Sequence, residues 1–126
     1  MQRYQDIFVL FLAAFIFTIK IHAQEASLTF ESDLIAIGSV SKSNSEVHYL
    51  HFSNPSKDTI KLLEIHRSYG YDVVYRPNLI EPNARDSIGI RICNDLLKGP
   101  FRKVLTLITS GSPSVYSIKI SGNIID

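Results

Sequence analysis

The chain has 126 residues, 45% hydrophobic, 10% aromatic and 20% charged, the proportions of one folded domain rather than of a disordered or membrane-embedded chain. Thirteen Lys and Arg against twelve Asp and Glu give a net charge of +1, too weak a field to gather nucleic acid or an anionic surface. The single Cys excludes an intrachain disulfide and every multi-cysteine zinc or iron–sulfur site.

The amino end reads as a targeting segment. Ile7 to Ile19 form an apolar run, preceded by Arg3 and followed by Lys20 and Ile21-His22-Ala23. A spanning helix needs roughly 20 apolar residues, and Lys20 stops this run short of that. A signal peptide over residues 1–23, cut after Ala23, is therefore expected, with periplasmic or secreted localisation and no membrane span after cleavage. Asp6 in the leader and the bulky Ile21 before the cut leave an uncleaved amino-terminal anchor as the alternative. The expected mature domain, residues 24–126, has eleven Lys and Arg balanced by eleven Asp and Glu.

Beyond Ala23 the β-branched residues fall into short runs between Asn, Pro, Ser, Asp and Gly clusters, with no helical stripe. In chain order the expected strands are Ala26–Phe30, Leu34–Ile37, Glu46–Ser53, Ile60–His66, Asp72–Tyr75, Ser87–Cys93, Arg102–Thr109 and Ser114–Ile120. The breaks are explicit at Asn54-Pro55-Ser56, Arg76-Pro77-Asn78, Glu81-Pro82-Asn83, Lys98-Gly99-Pro100 and Ser110-Gly111-Ser112-Pro113. Alternation sets the faces: Ile88, Ile90 and Ile92 share one side of their strand, opposite Gly89, Arg91 and Cys93, while His48, Leu50 and Phe52 alternate with Val47, Tyr49 and His51. Val104, Leu107, Ile118 and Ile120 are expected to continue the core. Seven or eight strands in about 100 residues predict an all-β, immunoglobulin-like two-sheet β-sandwich.

The order of these pieces resembles a known family. Leu28-Thr29-Phe30-Glu31 and Ile37-Gly38-Ser39-Val40 are followed by Leu50-His51-Phe52-Ser53-Asn54, an aromatic-x-aromatic-x-Asn type of strand end. Then come Ser68-Tyr69-Gly70-Tyr71-Asp72, Ile80-Glu81-Pro82-Asn83-Ala84, Gly99-Pro100-Phe101-Arg102-Lys103 and Ile120-Ser121-Gly122. From about Ala26 to Ile124 the chain resembles domain-of-unknown-function family 1573, exported bacterial immunoglobulin-like domains related to the ASH, MSP and hydin type of sandwich. The resemblance implies a bacterial envelope or secreted protein. The family's Ser-Cys-Gly-Cys-Thr hallmark is held here by Ser68-Tyr69-Gly70-Tyr71-Asp72, so no thiol, disulfide or metal role carries over. Asn83 stands where the family has Gly and, as the non-glycine residue most tolerant of a left-handed backbone, preserves the turn; Ser56 likewise replaces a turn glycine.

Candidate sites are few. Tyr69, Gly70, Tyr71 and nearby Tyr75 gather aromatic rings around a flexible glycine, either as a binding edge or as packing that caps the sandwich end. The three tyrosines are odd-numbered and so able to share one face. His48 and His51, three apart on a strand, point to opposite faces, so no metal site is expected. No Gly-x-Ser-x-Gly elbow and no phosphate-cradling loop occur, so neither catalysis nor a cofactor is expected. Cys93 is either an exposed thiol able to pair between molecules or is partly covered by the turn after it. The leading expectation is a non-enzymatic module that contacts another envelope or secreted protein, with no nucleic-acid partner. The alternative is a small-ligand or glycan-binding domain using the tyrosine-rich end.

Overall fold

The structure is a computed structural model that describes residues 25–94 and 96–125. The targeting segment expected over residues 1–23 lies outside the described residues. Nine strands form among the described residues: β1 Thr29–Phe30, β2 Leu34–Ser41, β3 Val47–Ser53, β4 Ile60–Arg67, β5 Tyr71–Tyr75, β6 Leu79–Ile80, β7 Arg85–Ile92, β8 Gly99–Thr109 and β9 Val115–Ile125. They make an immunoglobulin-like β-sandwich of two sheets, one ordered β1-β3-β7-β5 and the other β2-β9-β8-β4-β6. None of the described residues is helical, so among them no helix is long and apolar enough to cross a membrane.

The period-2 pattern decides what is inside. Ile88 and Ile90 are fully buried and Ile92 nearly so, while Arg91 between them is exposed. Leu50 and Phe52 of β3 face the same interior, opposite Leu105 and Leu107 of β8 and Ile118 and Ile120 of β9. Gly89, on the outer side of β7, is buried by its cross-strand partner: a Cβ there would lie 3.1 Å from a ring carbon of Tyr49.

The first strands switch sheets. Phe30 pairs with Phe52 across the antiparallel β1–β3 ladder, and four residues later β2 joins the other sheet, running parallel to β9 from Leu34 opposite Lys119. The β2–β9 ladder slips between Ala36 and Gly38, where Gly38 adopts a φ of 77°. Strand β9 continues past Ile120 through Gly122, whose missing side chain makes room for Phe101: a Cβ would fall 2.6 Å from that ring.

Three sequence expectations change. Val104 is 46% exposed on the outer face, because Leu105 and Leu107 hold the inner register of β8 and residues three apart cannot share a face of a regular strand. Strand β6, hidden in what reads as a turn-rich segment, pairs Leu79 and Ile80 with Lys61 and Ile60. The first expected strand shortens to Thr29–Phe30, whereas β2 and β9 run on to Ser41 and Ile125.

The turn between β3 and β4 is organised by polar burial. Asn54 is fully buried; its Nδ2 donates to the carbonyls of Asp58 at 2.7 Å and Ile80 at 3.0 Å, and its Oδ1 accepts from the Ser56 amide at 3.1 Å and hydroxyl at 2.6 Å. Its backbone donates to the Ala84 carbonyl and accepts from the Asn83 amide. Through its side chain Asn54 thus ties the β3–β4 turn to β6, and through its backbone to the turn before β7. Ser56 is a buried partner in this network. Asn83 has a φ of 61°, the left-handed conformation expected of it.

Candidate interaction site at the tyrosine-bearing end

The crossover from β4 to β5 carries the chain from one sheet to the other through Ser68, Tyr69 and Gly70. Gly70 takes a φ of 104° and lies against Leu97, where a Cβ would come within 2.7 Å of the leucine side chain. Its carbonyl accepts the Cys93 amide at 2.9 Å. Glycine is required here twice over, by the backbone and by the contact.

Tyr71 is 2% exposed. Its hydroxyl donates to the Val104 carbonyl at 2.6 Å and accepts the Ser68 amide at 3.1 Å, and Ser68 Oγ donates to the same Val104 carbonyl at 3.2 Å. A ring that starts on β5 therefore reaches β8 of the opposite sheet and braces the crossover behind it. A buried tyrosine hydroxyl needs such partners.

The bracing leaves Tyr69 on the outside, 64% exposed, with the Lys103 ammonium 5.6 Å from its ring centroid. Leu96 is half-exposed nearby, and an open depression of about 310 Å³ runs between Tyr69, Gly70, Asp72, Cys93 and Leu96. Arg67 and Asp72 form an exposed ion pair on its rim. Cys93 is partly buried, with Sγ 3.5 Å from Asp72 Oδ2.

Tyr75 belongs elsewhere. The β5–β7 ladder slips between Val73 and Tyr75, and that bulge turns Tyr75 away from the face that Tyr71 occupies. Tyr75 is 46% exposed, pairs with Gly89 and donates its hydroxyl to Asp86 Oδ1 at 3.0 Å. That hydrogen bond and the carboxylate's charge raise its pKa above the ordinary tyrosine value. The folded state therefore holds this proton more firmly than the unfolded chain. The pair's stabilisation is complete below 10.0, the unfolded value, and is lost as pH rises through the folded pKa.

The four residues singled out from sequence thus separate. Gly70 and Tyr71 build the crossover, Tyr69 is displayed by it, and Tyr75 sits at the far end of β5. Sequence reasoning passed over Tyr49, whose half-exposed ring covers Gly89 and stacks on His51 at 6.2 Å. A lone glycine on the outer side of a strand was the signal that an aromatic ring lies across it.

The remaining candidates take local roles. His48 pairs with Ile90 on the inner side of β3 and His51 lies on the outer side, while His66 Nε2 hydrogen-bonds Glu64 at 2.8 Å. Among the described residues no three His, Cys, Asp or Glu side chains are grouped to hold a metal ion. Ser110 Oγ accepts the Lys61 amide at 2.8 Å, a bond that fixes the β8–β9 turn.

No family model matches the chain, and no curated protein matches it in sequence. Solved structures share its fold. A protein of unknown function from Porphyromonas gingivalis W83 superposes with a TM-score of 0.71 at 13% identity over 85% of this chain; the chain spans half of that protein's length. The human CEP192 ASH/PapD-like domain 7 superposes with a TM-score of 0.67 at 10% identity, covering 81% of this chain and 87% of that domain. The periplasmic chaperone SfaE gives a TM-score of 0.55 at 8% identity over 79% of this chain and 60% of its own. What the chain shares with these structures is the fold, an immunoglobulin-like two-sheet β-sandwich.

Proposed function

We propose that the protein is an exported, non-enzymatic immunoglobulin-like module that acts by protein–protein contact or assembly in the bacterial envelope. It is read as a variant of family 1573 in which Tyr-Gly-Tyr replaces Cys-Gly-Cys. The observation that carries this reading is the display of Tyr69: a ring 64% exposed on a crossover held by Gly70 and by both hydrogen bonds of the Tyr71 hydroxyl. A pre-ordered aromatic side chain loses little entropy on contact, which is what a protein-binding surface needs. The sandwich that the chain shares with a periplasmic chaperone supports the envelope assignment. A glycan site would need several rings lining one concavity. Tyr71 is buried and Tyr75 lies at the other end of β5, so the end presents one ring, and protein contact is the better fit.

Affinity capture from envelope extract tests this. The tagged chain retains a discrete protein partner, and Tyr69→Ala weakens that capture by about tenfold while the melting temperature stays fixed. Tyr71→Phe behaves in the opposite way, losing about 1–3 kcal/mol of stability through the unpaired Ser68 amide and the lost hydrogen bond to the Val104 carbonyl, which keeps only Ser68 Oγ as a side-chain donor, while keeping the partner. Capture that is indifferent to Tyr69→Ala would refute the reading.

A further inference from the structure

Strand β4 is flanked by two crossovers. Ser68 to Gly70 lead from it to β5 in the opposite sheet, and Arg76 to Asn78 bring the chain back so that β6 pairs with Ile60 and Lys61. The Leu62 amide donates to the Asn78 carbonyl at 2.9 Å, and the Arg76 guanidinium donates to the Leu62 carbonyl. There the cover ends. Among the described residues no strand lies beside the outer edge of β4 beyond Lys61.

The uncovered part is regular. From Glu64 opposite Ile108 to Arg67 opposite Leu105, four consecutive residues keep register with β8, after the irregularity between Leu62 and Glu64. In an antiparallel ladder alternate residues turn their N–H and C=O groups away from the partner, so this run offers a template for a further strand. The facing edge, β5, is interrupted in mid-strand by its bulge between Val73 and Tyr75 and offers none.

Between the two edges lies an open cleft of about 430 Å³ lined by Ile65, Arg67, Val73, Val74, Tyr75 and Arg76. Its middle is apolar and each end carries a guanidinium. Arg67 is paired with Asp72, whereas the hydrogen bonds of Arg76 go to the uncharged carbonyls of Leu62 and Pro77. Tyr75 holds the Asp86 carboxylate with its hydroxyl, so the guanidinium of Arg76 is the cleft charge whose own hydrogen bonds go to no carboxylate.

We propose that this cleft takes an extended segment of a partner protein, apolar at alternate positions and acidic at its ends, added as a strand beside Glu64 to Arg67. The inference rests on the reading that the chain works by protein contact, and it specifies the kind of contact. Ladder hydrogen bonds supply affinity irrespective of sequence. Side chains turned toward the cleft meet Ile65 and Val73, and the terminal carboxylates meet Arg67 and Arg76. A four- to five-residue strand at roughly 3.3 Å per residue fits the interval between the crossovers. Tyr69 stands on the Ser68 crossover next to Arg67, so the end of a bound segment runs onto the Tyr69 surface.

The test titrates the isotopically labelled full chain with two probes at millimolar concentration, acetyl-Glu-Thr-Val-Thr-Glu-amide, whose two Glu and central Val share one face of a strand, and its counterpart with Lys at both ends, and follows amide exchange. The acidic probe slows exchange at alternate amides of Glu64 to Arg67. It binds about tenfold more tightly than the basic one, the worth of two partly exposed ion pairs, and Arg67→Ala removes most of that preference. Equal binding of the two probes, protection at the outer edge of β2 from Gly38 to Ser41, or no protection overturns the proposal. Protection at β4 with partner capture insensitive to Tyr69→Ala keeps the cleft and removes the Tyr69 surface; capture lost in Tyr69→Ala with β4 unprotected does the reverse.

Discussion

Phe52→Ala lowers the free energy of unfolding by about 3–5 kcal/mol, because it removes the transfer energy of a buried ring and leaves a cavity that its neighbours fill poorly. Phe52 is 3% exposed and meets Phe30 at 5.7 Å between ring centroids. Phe30 in turn meets Tyr116 of the other sheet at 5.0 Å, and the Tyr116 hydroxyl accepts the Leu28 amide at 3.0 Å. These rings help to hold a short strand, since the β1–β3 ladder pairs only Thr29 and Phe30, extended by the Glu31 amide on the His51 carbonyl. His51→Ala, on the outer face of the same strand, stays within about 1 kcal/mol of the parent. A denaturant titration compares the two variants, and a larger loss in His51→Ala would mean that β3 is misregistered by one residue.

Asn54→Ala is the polar counterpart and lowers stability by about 2–4 kcal/mol, the result of leaving several buried groups without a partner at once. The substitution deprives the Ile80 carbonyl and the Ser56 amide of the Asn54 bonds they make, at a position with no access to water. Native-state hydrogen exchange places the damage: amides of β6 and of the turn before β7 exchange faster, while those in the middle of β8 and β9 keep their protection. Uniform loss of protection across both sheets would contradict a local tie.

Both sites were partly legible in the sequence. Alternation put Phe52 inside and His51 outside, and the period-2 reading of Ile88, Ile90 and Ile92 holds in the structure. Asn54 was visible as the end of a strand motif, but its burial was not, because a turn rich in Asn, Pro and Ser reads as solvent-facing until the segment it docks against is known. That segment includes β6, two residues between prolines, too short to carry a period. Gly38 and Gly122 read as strand endings, whereas both lie within strands, Gly38 at a bulge and Gly122 beneath the Phe101 ring.

The tyrosines were the harder case. Parity counts from one residue to the next only while the ladder is regular, and the bulge after Val73 breaks the count between Tyr71 and Tyr75. Nor does sequence show that the Tyr71 hydroxyl reaches across the sandwich to the Val104 carbonyl, a contact between residues distant in the chain. The local pattern Tyr-Gly-Tyr is therefore one exposed ring, one backbone requirement and one buried brace, not a cluster of three equivalent contact residues.

The central claim is that Tyr69, held out by this brace, meets a protein partner in the envelope. The most direct measurement places the photoreactive residue p-benzoyl-phenylalanine at position 69, and separately at Ser117, an exposed residue of β9, in cells that make the full chain. On irradiation the account predicts one discrete covalent adduct from position 69 and none from position 117. The same adducts from both positions, or none from position 69, would contradict it.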